Sequence, residues 1–493
     1  MDNAFKRYVL LSGAAMFLTA AFSQTYVWIS STEGNNWKES RTRLQISSTH
    51  FPVLEVKGNE EGIGFNGWGT CFNELGYDAL NVLAKNEQET IMKNIFSPTG
   101  DLRFTIGRIP MNANDYARNW YSCDEVAGDF KLQYFNIDRD KQALIPFIRF
   151  AQQYNPGMTF WISPWGPPGW MKINNYYSVQ SGEHNQMSAK SNIALHEGNT
   201  KKDEGVFPPI LAANDYFIQD PRYLQSYALY FSKFIDAYKE QGIPITKAMY
   251  QNEPYSYTAY PGCAWTPEGT IRFNAGYLAP TLKKNHPGVE VYLGTINTNR
   301  FDEIDKILSD PGMQESIKGV GFQWEGGQIL PEIREKYPQY KYMQTESECG
   351  WGSFDWKGAE HTFGLINHYL GNGCDEYIFW NVILADDGTS TWGWKQNALV
   401  RVDSKSRAYT LTPEYYAVKH YTNFIAPGSR VVAFEPLSQN KMPVLVLKTP
   451  QGKYVVIAGN FNNEAKEVTI RLEDRYLNVR LQARSFNSFV EAR

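Results

Sequence analysis

The sequence predicts an α/β fold, a (β/α)8 barrel with an appended β-sandwich. Three observations carry that prediction. Between about residues 62 and 403, eight apolar runs of strand length alternate with amphipathic helical patterns, which is the signature of a parallel sheet covered by helices. Eight such units in about 340 residues fit a closed barrel with loop insertions. From about Ser404 onward, helical patterns nearly vanish after Pro413–Phe424, and short, spaced strands take over.

Taken in order, residues 1–23 have the three-part shape of a secretory signal. Lys6 and Arg7 form a short basic region, Tyr8 to Phe22 is apolar and uncharged, and Ala21 and Ser23 place small residues before a cut at Gln24. The apolar stretch is too short for a typical membrane span, and no later segment is long and apolar enough for one. The expectation is export to the periplasm or outside the cell. Residues 24–61 follow, with β-like runs at Tyr26–Ser30 and Thr42–Ser47 that are available to join the sandwich.

The barrel region, 62–403, supplies strand candidates at Ile63–Trp68, Leu102–Ile109, Met158–Ser163, Ile245–Gln251, Val289–Gly294, Ile317–Trp324, Tyr340–Thr345 and Glu376–Ile383. Among the helices between them, Asp220-Pro221 is an N-cap followed by proline at the first helical position. Leu224, Tyr227, Phe231, Phe234, Ile235 and Tyr238 then recur at helical spacing until Gly242 stops the run. Asp138 to Tyr154 repeats the pattern. Asn174–Phe217 is polar and aperiodic, and it follows the third strand, so it reads as a rim loop on the face where barrel active sites sit. Region 404–493 carries sandwich strands at Val431–Phe434, Val444–Leu447, Tyr454–Ala458, Glu467–Leu472, Leu477–Leu481 and Phe486–Val490.

Composition excludes several classes. The 493 residues balance 48 Lys+Arg against 52 Asp+Glu, without the basic excess of a nucleic-acid binder. With 42% apolar and 20% charged residues the chain is not disordered. Five cysteines without CxxC and seven scattered histidines without HExxH argue against structural zinc and zincin chemistry. At most two disulfides are possible. Gly62-Ile63-Gly64-Phe65-Asn66-Gly67 matches GxGxxG. Charged Glu60-Glu61 before it and no helical pattern after it argue against a dinucleotide site. No cofactor and no metal are expected. Aromatic content is high, at 15%, and flat aromatic faces stack on sugars.

Two carboxylates carry the chemistry. Asn252-Glu253-Pro254 follows the fourth strand and Glu346 follows the seventh. Side chains at the C-terminal ends of barrel strands enter the active site. Pro254 biases Glu253 toward extended backbone, which suits a strand edge. Glycosidic cleavage needs such a pair, one acid to protonate the leaving oxygen and one carboxylate as nucleophile or base. Strand alternation puts Glu346 and Glu348 on one face, so periodicity leaves both open as the second carboxylate. Trp165, Trp324 and Trp380, at the ends of strands three, six and eight, would wall the sugar. Trp68, Trp392 and Trp394 fall on loops of the same side.

The ordered series Gly64–Gly69, Arg108-Ile109-Pro110-Met111, Ser163-Pro164-Trp165, Trp170-Met171-Lys172, Asn252-Glu253-Pro254, Thr345-Glu346, Phe379-Trp380-Asn381 and Phe424-Ile425-Ala426-Pro427-Gly428 resembles glycoside hydrolase family 30, best known for glucosylceramidases. The resemblance implies a barrel flanked by a sandwich built from both termini. It also implies retaining β-glycoside hydrolysis, with Glu253 as acid/base and Glu346 as nucleophile in preference to Glu348. Arg108 would support the nucleophile, and Asp115, Asn252 and Asn381 would join the three tryptophans in binding sugar. Gln323-Trp324 departs from the His-Trp pair of glucosylceramidases. Trp68 and Glu74 stand where that pattern has small residues, and Asp386-Asp387-Gly388 with Trp392 and Trp394 forms an aromatic, acidic loop. These departures keep endo-β-1,6-glucanase, β-xylosidase and β-fucosidase open beside β-glucosidase, with a non-catalytic glycan binder as the rival of another class. The partner is a carbohydrate. The sequence assigns no oligomeric state.

Overall fold

The computed structural model describes residues 25–48, 53–195, 211–434 and 442–492. The expected signal, 1–23, and the central part of the expected rim loop lie outside the described residues. The barrel strands are β4 (Gly67–Cys71), β5 (Ile106–Met111), β6 (Thr159–Pro164), β7 (Ile245–Met249), β8 (Glu290–Ile296), β9 (Gly319–Gln323), β10 (Lys341–Glu346) and β11 (Glu376–Asn381). They pair in parallel, in sequence order, and close between β11 and β4. Asp220 caps the helix Pro221–Glu240 by accepting from the Arg222 amide, and Gly242, at φ +74°, ends it.

The first strand differs from its expected position. Ile63 and Gly64 close the long strand β3 (Val53–Gly64), whose Gly64 pairs with Arg430 in the sandwich. A strand therefore does precede the GxGxxG glycines, contrary to expectation. Another strand follows them, and the helix begins only at Glu74, so no dinucleotide turn forms. The glycines serve packing instead. A Cβ on Gly69 would lie 2.5 Å from the Ile106 carbonyl oxygen, so only glycine lets β4 sit this close to β5. The second strand also starts later than expected, because Leu102 and Phe104 are bonded to the end of helix Lys85–Phe96 through the Asn94 and Ile95 carbonyls.

Inside the barrel, Ile106, Trp161, Met249, Tyr292, Met343 and Ile378 fill a layer from six strands. Arg108 lies two residues beyond Ile106, so it points inward one layer nearer the mouth. Three short strands, β12 (Ile383–Ala385), β13 (Val400–Asp403) and β14 (Ala408–Leu411), form an unpredicted sheet beside the loop that follows β11.

The sandwich draws on both termini. β1 (Thr25–Thr32), β2 (Asn35–Arg43) and β3 join β15 (Arg430–Phe434), β16 (Val444–Lys448), β17 (Tyr454–Asn460), β18 (Lys466–Leu472), β19 (Arg475–Leu481) and β20 (Ser485–Glu491) in the order β19-β18-β3-β15-β16-β17-β20-β1-β2. β16 and β17 are buried on both faces. Val444, Val446, Val456 and Ala458 fill the sandwich core, while Leu445, Leu447, Val455 and Ile457 pack into the barrel cluster. His420, on the helix Pro413–Thr422, stitches the junction through Ser488 and Ser31, each at 2.8 Å. Burial pushes this histidine down to about 3, so it stays neutral. All five cysteines are buried and unpaired. No helix among the described residues is long and apolar enough to cross a membrane.

Candidate active site

Glu346 closes β10, where the register against β9 shifts between Gln344 and Glu346. Such an irregularity re-aims a side chain, and Glu346 lines the pocket at the barrel mouth. Glu348, two residues on, is no longer in the strand, so it leaves the shared face that alternation predicts. Its carboxylate bonds His361 Nε2 at 2.7 Å and faces a neighbouring chamber.

Arg108 is fully buried and holds the centre of the site. Its Nη1 donates to Glu346 Oε2 at 2.6 Å, its Nη2 to Asn252 Oδ1 at 2.6 Å, and both Nη2 and Nε to Ser163 Oγ. The guanidinium lies 4.3 Å from the Trp165 ring centroid and 4.9 Å from that of Trp161. A charge-assisted bond this short fixes the geometry and favours the carboxylate form of Glu346. Trp324 Nε1 donates to the other oxygen of Glu346 at 3.3 Å. Burial and the Glu253 charge nevertheless push Glu346 up to about 7, against the pull of Arg108.

Glu253 is not in extended backbone, contrary to the reading of Pro254. β7 ends at Met249, and Glu253 sits in a turn at φ +48°. Its amide bonds Thr295 Oγ1 at 3.1 Å, which holds this uncommon conformation from β8. Trp324 has the same φ at the end of β9. Three neutral donors reach the Glu253 carboxyl. Ser256 at 3.0 Å and Tyr260 at 2.8 Å bond Oε2, and Gln323 at 3.0 Å bonds Oε1. Asn252 Oδ1 also accepts from Thr295 and Gln323.

The pocket of about 730 Å³ is lined by Asp115, Trp165, Glu253, Trp324, Trp394 and Glu346 among the residues singled out from sequence. Asp115 Oδ1 and Thr258 Oγ1 are buried without a hydrogen-bond partner, which suits them to sugar hydroxyls. Burial and the two glutamates push the Asp115 carboxyl well above the usual carboxylate range. Other expected residues stand behind the pocket. Trp380 is fully buried and stacks on Trp165 with centroids 5.2 Å apart. Asn381 donates to Gln396, a lining residue, and accepts from Asn73. Trp68 is buried against Tyr377 and Tyr421 and bonds the Ile425 carbonyl, away from the mouth. Trp392 is buried and bonds Tyr177. Reading the sequence missed Tyr255, Ser256, Tyr257, Thr258 and Tyr260 on the loop after β7, together with Asn297, Glu325 and Gln396. The cluster Tyr255–Tyr260 directly after Glu253 was the available signal.

The model of the glycosyl hydrolase family 30 TIM-barrel domain matches residues 65–193 and 217–425. The chain belongs to glycosyl hydrolase family 30. The family 30 chain is similar to the lysosomal acid glucosylceramidase of Mus musculus, at 25% identity over 80% of this chain and 74% of the relative. It is also similar to the endo-1,6-beta-D-glucanase neg1 of Aspergillus fumigatus, at 23% identity over 81% and 76%. The solved structure of SrfJ from Salmonella typhimurium superposes with a TM-score of 0.81, at 18% identity, over 95% of this chain and all of that one. This family 30 member is a glycoside hydrolase, a β-glycosidase with its barrel and sandwich in the family's arrangement.

Proposed function

We propose that the protein is an exported, retaining β-glycosidase that works by double displacement. Glu346 attacks the anomeric carbon while Glu253 gives its proton to the departing glycosidic oxygen. Glu253 then takes a proton from water, which releases the sugar from Glu346. One observation carries this division of roles. The buried Arg108 guanidinium contacts Glu346, whereas Glu253 receives only neutral donors. A fixed positive charge favours the carboxylate form of Glu346, which suits it to the nucleophile's role and leaves the acid/base role to Glu253.

Unpartnered Asp115 and Thr258 would bind hydroxyls of the reacting sugar, with Trp165, braced by Trp380, against its apolar face. The test is a panel of aryl β-glucoside, fucoside, xyloside and galactoside, with the product anomer followed by NMR. Retention is expected, and net inversion sinks the mechanism. Export through residues 1–23 predicts a mature chain beginning at Gln24, which intact mass measurement of the periplasmic or extracellular protein checks.

A further inference from the structure

Gln323 ends β9, and it stands where the glucosylceramidase pattern has histidine. It is fully buried, as is Thr345 on β10, and neither lines the reaction pocket. The Gln323 side chain nevertheless reaches the carboxyl of Glu253. Its Nε2 donates to Glu253 Oε1 at 3.0 Å and to Asn252 Oδ1 at 3.3 Å, and its Oε1 accepts from the Thr345 hydroxyl at 2.8 Å.

Two contacts set which way this amide faces. Arg108 can only donate, so the Asn252 atom it meets at 2.6 Å is the oxygen. An oxygen there calls for a donor from Gln323, which turns its nitrogen to Asn252 and Glu253. A flipped amide would set oxygen against oxygen. On the other side, the Thr345 hydroxyl also has the Phe322 carbonyl in reach at 3.1 Å, but the Gln323 oxygen is nearer. One guanidinium thus orders the surroundings of both carboxylates, Glu346 directly and Glu253 through Asn252 and Gln323.

The two oxygens of Glu253 are therefore not equivalent. Oε2 accepts from Tyr260 at 2.8 Å and from Ser256 at 3.0 Å. Ser256 Oγ itself accepts from Asn297 Nδ2 at 2.8 Å, so its own proton is turned to Glu253. These two donors occupy both lone pairs of Oε2. Among the described residues Oε1 accepts from Gln323 only, which leaves it one open lone pair.

We propose that Gln323 is a positioning residue for the acid, and that Glu253 Oε1 carries and delivers the catalytic proton. Gln323, oriented by Asn252 and Thr345, holds that oxygen with a donor whose charge does not change with pH. The proton leaves Oε1 for the glycosidic oxygen as the bond to the anomeric carbon breaks and its electron pair moves onto that oxygen. The carboxylate left behind keeps the Gln323 bond, which strengthens as the negative charge develops. The inference rests on Glu253 acting as the acid.

The experiment follows kcat and KM against pH for the phenyl and the dinitrophenyl β-glycoside of the sugar that the native enzyme cleaves best. Only the phenyl group needs a proton to leave. In Gln323→Met the ratio of phenyl to dinitrophenyl turnover is expected to fall about tenfold through kcat, a part of the roughly 10²- to 10⁴-fold that a general acid supplies. Removing a donor from a carboxylate favours its protonated form, so the basic limb of kcat/KM is expected to move upward by about one unit. Asp115, Tyr255, Tyr257, Tyr260, Glu325 and Glu346 share the pocket with Glu253, and Arg108 lies beyond Asn252; the substitution leaves all of them in place. Thr345→Val is expected to give a smaller loss of the same kind, and Thr345→Ser to restore it. Gln323→Glu keeps the shape and removes at least one of the two donors, and it serves if thermal unfolding shows that Gln323→Met does not fold. In an atomic-resolution structure of the protonated enzyme, the Glu253 Cδ–Oε1 bond is expected to be longer than Cδ–Oε2. Equal losses on both substrates with an unmoved limb, a native-like Thr345→Val, or the longer bond at Oε2 overturns the proposal. If Glu253→Gln itself loses equally on both substrates, the acid reading falls, and the proposal falls with it.

Discussion

Replacing Arg108 with glutamine removes the positive charge that faces Glu346 and leaves a side chain of similar reach. The bond lost is the 2.6 Å contact between Nη1 and Glu346 Oε2, with Arg108 fully buried and Glu346 nearly so. A hydrogen bond to a charged group contributes about 1.5–3 kcal/mol. One pH unit corresponds to about 1.4 kcal/mol, so the Glu346 carboxyl rises by about one to two units. The sign follows from the role proposed for Glu346, because a nucleophile works only as the carboxylate. The acidic limb of kcat/KM is therefore expected to move upward by about one to two units. At a pH below the native limb the ionised fraction falls about tenfold to a hundredfold, and kcat/KM falls with it. The assay is release of the aryl group from the best aryl β-glycoside between pH 4 and 9. Arg108→Lys, which keeps the charge, is expected to shift the limb less. If Arg108→Gln loses activity equally at every pH and the limb stays within about 0.3 unit, Arg108 does not set the charge on Glu346. Its value would then lie in placing Asn252.

Four further outcomes follow from the same geometry. Glu346→Gly should be inactive and regain turnover with azide, giving the α-glycosyl azide; Glu348→Gly should retain a turnover that azide does not change. Glu253→Gln should lower kcat/KM about 10²- to 10⁴-fold on substrates with sugar leaving groups, and much less on a dinitrophenyl glycoside that needs no acid. Tyr260→Phe removes one of three donors to Glu253, and kcat should fall by about 2- to 12-fold with KM unchanged, the equivalent of 0.5–1.5 kcal/mol. Gly69→Ala drives a Cβ to 2.5 Å from the Ile106 carbonyl oxygen. It should destabilise the fold by about 1–3 kcal/mol, read as a lower denaturation midpoint.

Much of the architecture was legible because burial leaves marks on single segments. β6 and β11 are covered outside and filled inside, so Phe160–Ile162 and Tyr377–Trp380 read as continuous apolar runs. The helix Pro221–Glu240 announced its start through Asp220-Pro221 and its end through Gly242. The first barrel strand was misplaced because Ile63-Gly64 and Gly67–Cys71 form one apolar, glycine-rich stretch in sequence. Pairing of Gly64 with Arg430, distant along the chain, cuts that stretch in two. The small sheet β12–β14 went unseen because its strands are three or four residues long. Glu253 was misread because a rule about its neighbour Pro254 ignores the Thr295 hydroxyl that holds its amide.

Residue order along the chain was enough to determine the alternation of strands and helices, the eightfold count, the two carboxylates that follow strands four and seven, and their family pattern. Each strand and helix is marked locally, by residues within one turn or one strand of each other, and the count and the family pattern follow from their order along the chain. Tertiary structure alone decided the choices that depend on residues far apart in sequence. It put Arg108, Asn252 and Glu346 within 2.6 Å contacts around one guanidinium. It separated Glu346 from Glu348 by ending β10 between them, and it set Trp380 behind Trp165 and Trp68 on the far side of β4. Charge and burial act through space, so the surroundings that distinguish Glu346 from Glu253, a guanidinium for one and neutral donors for the other, exist only once the barrel has closed.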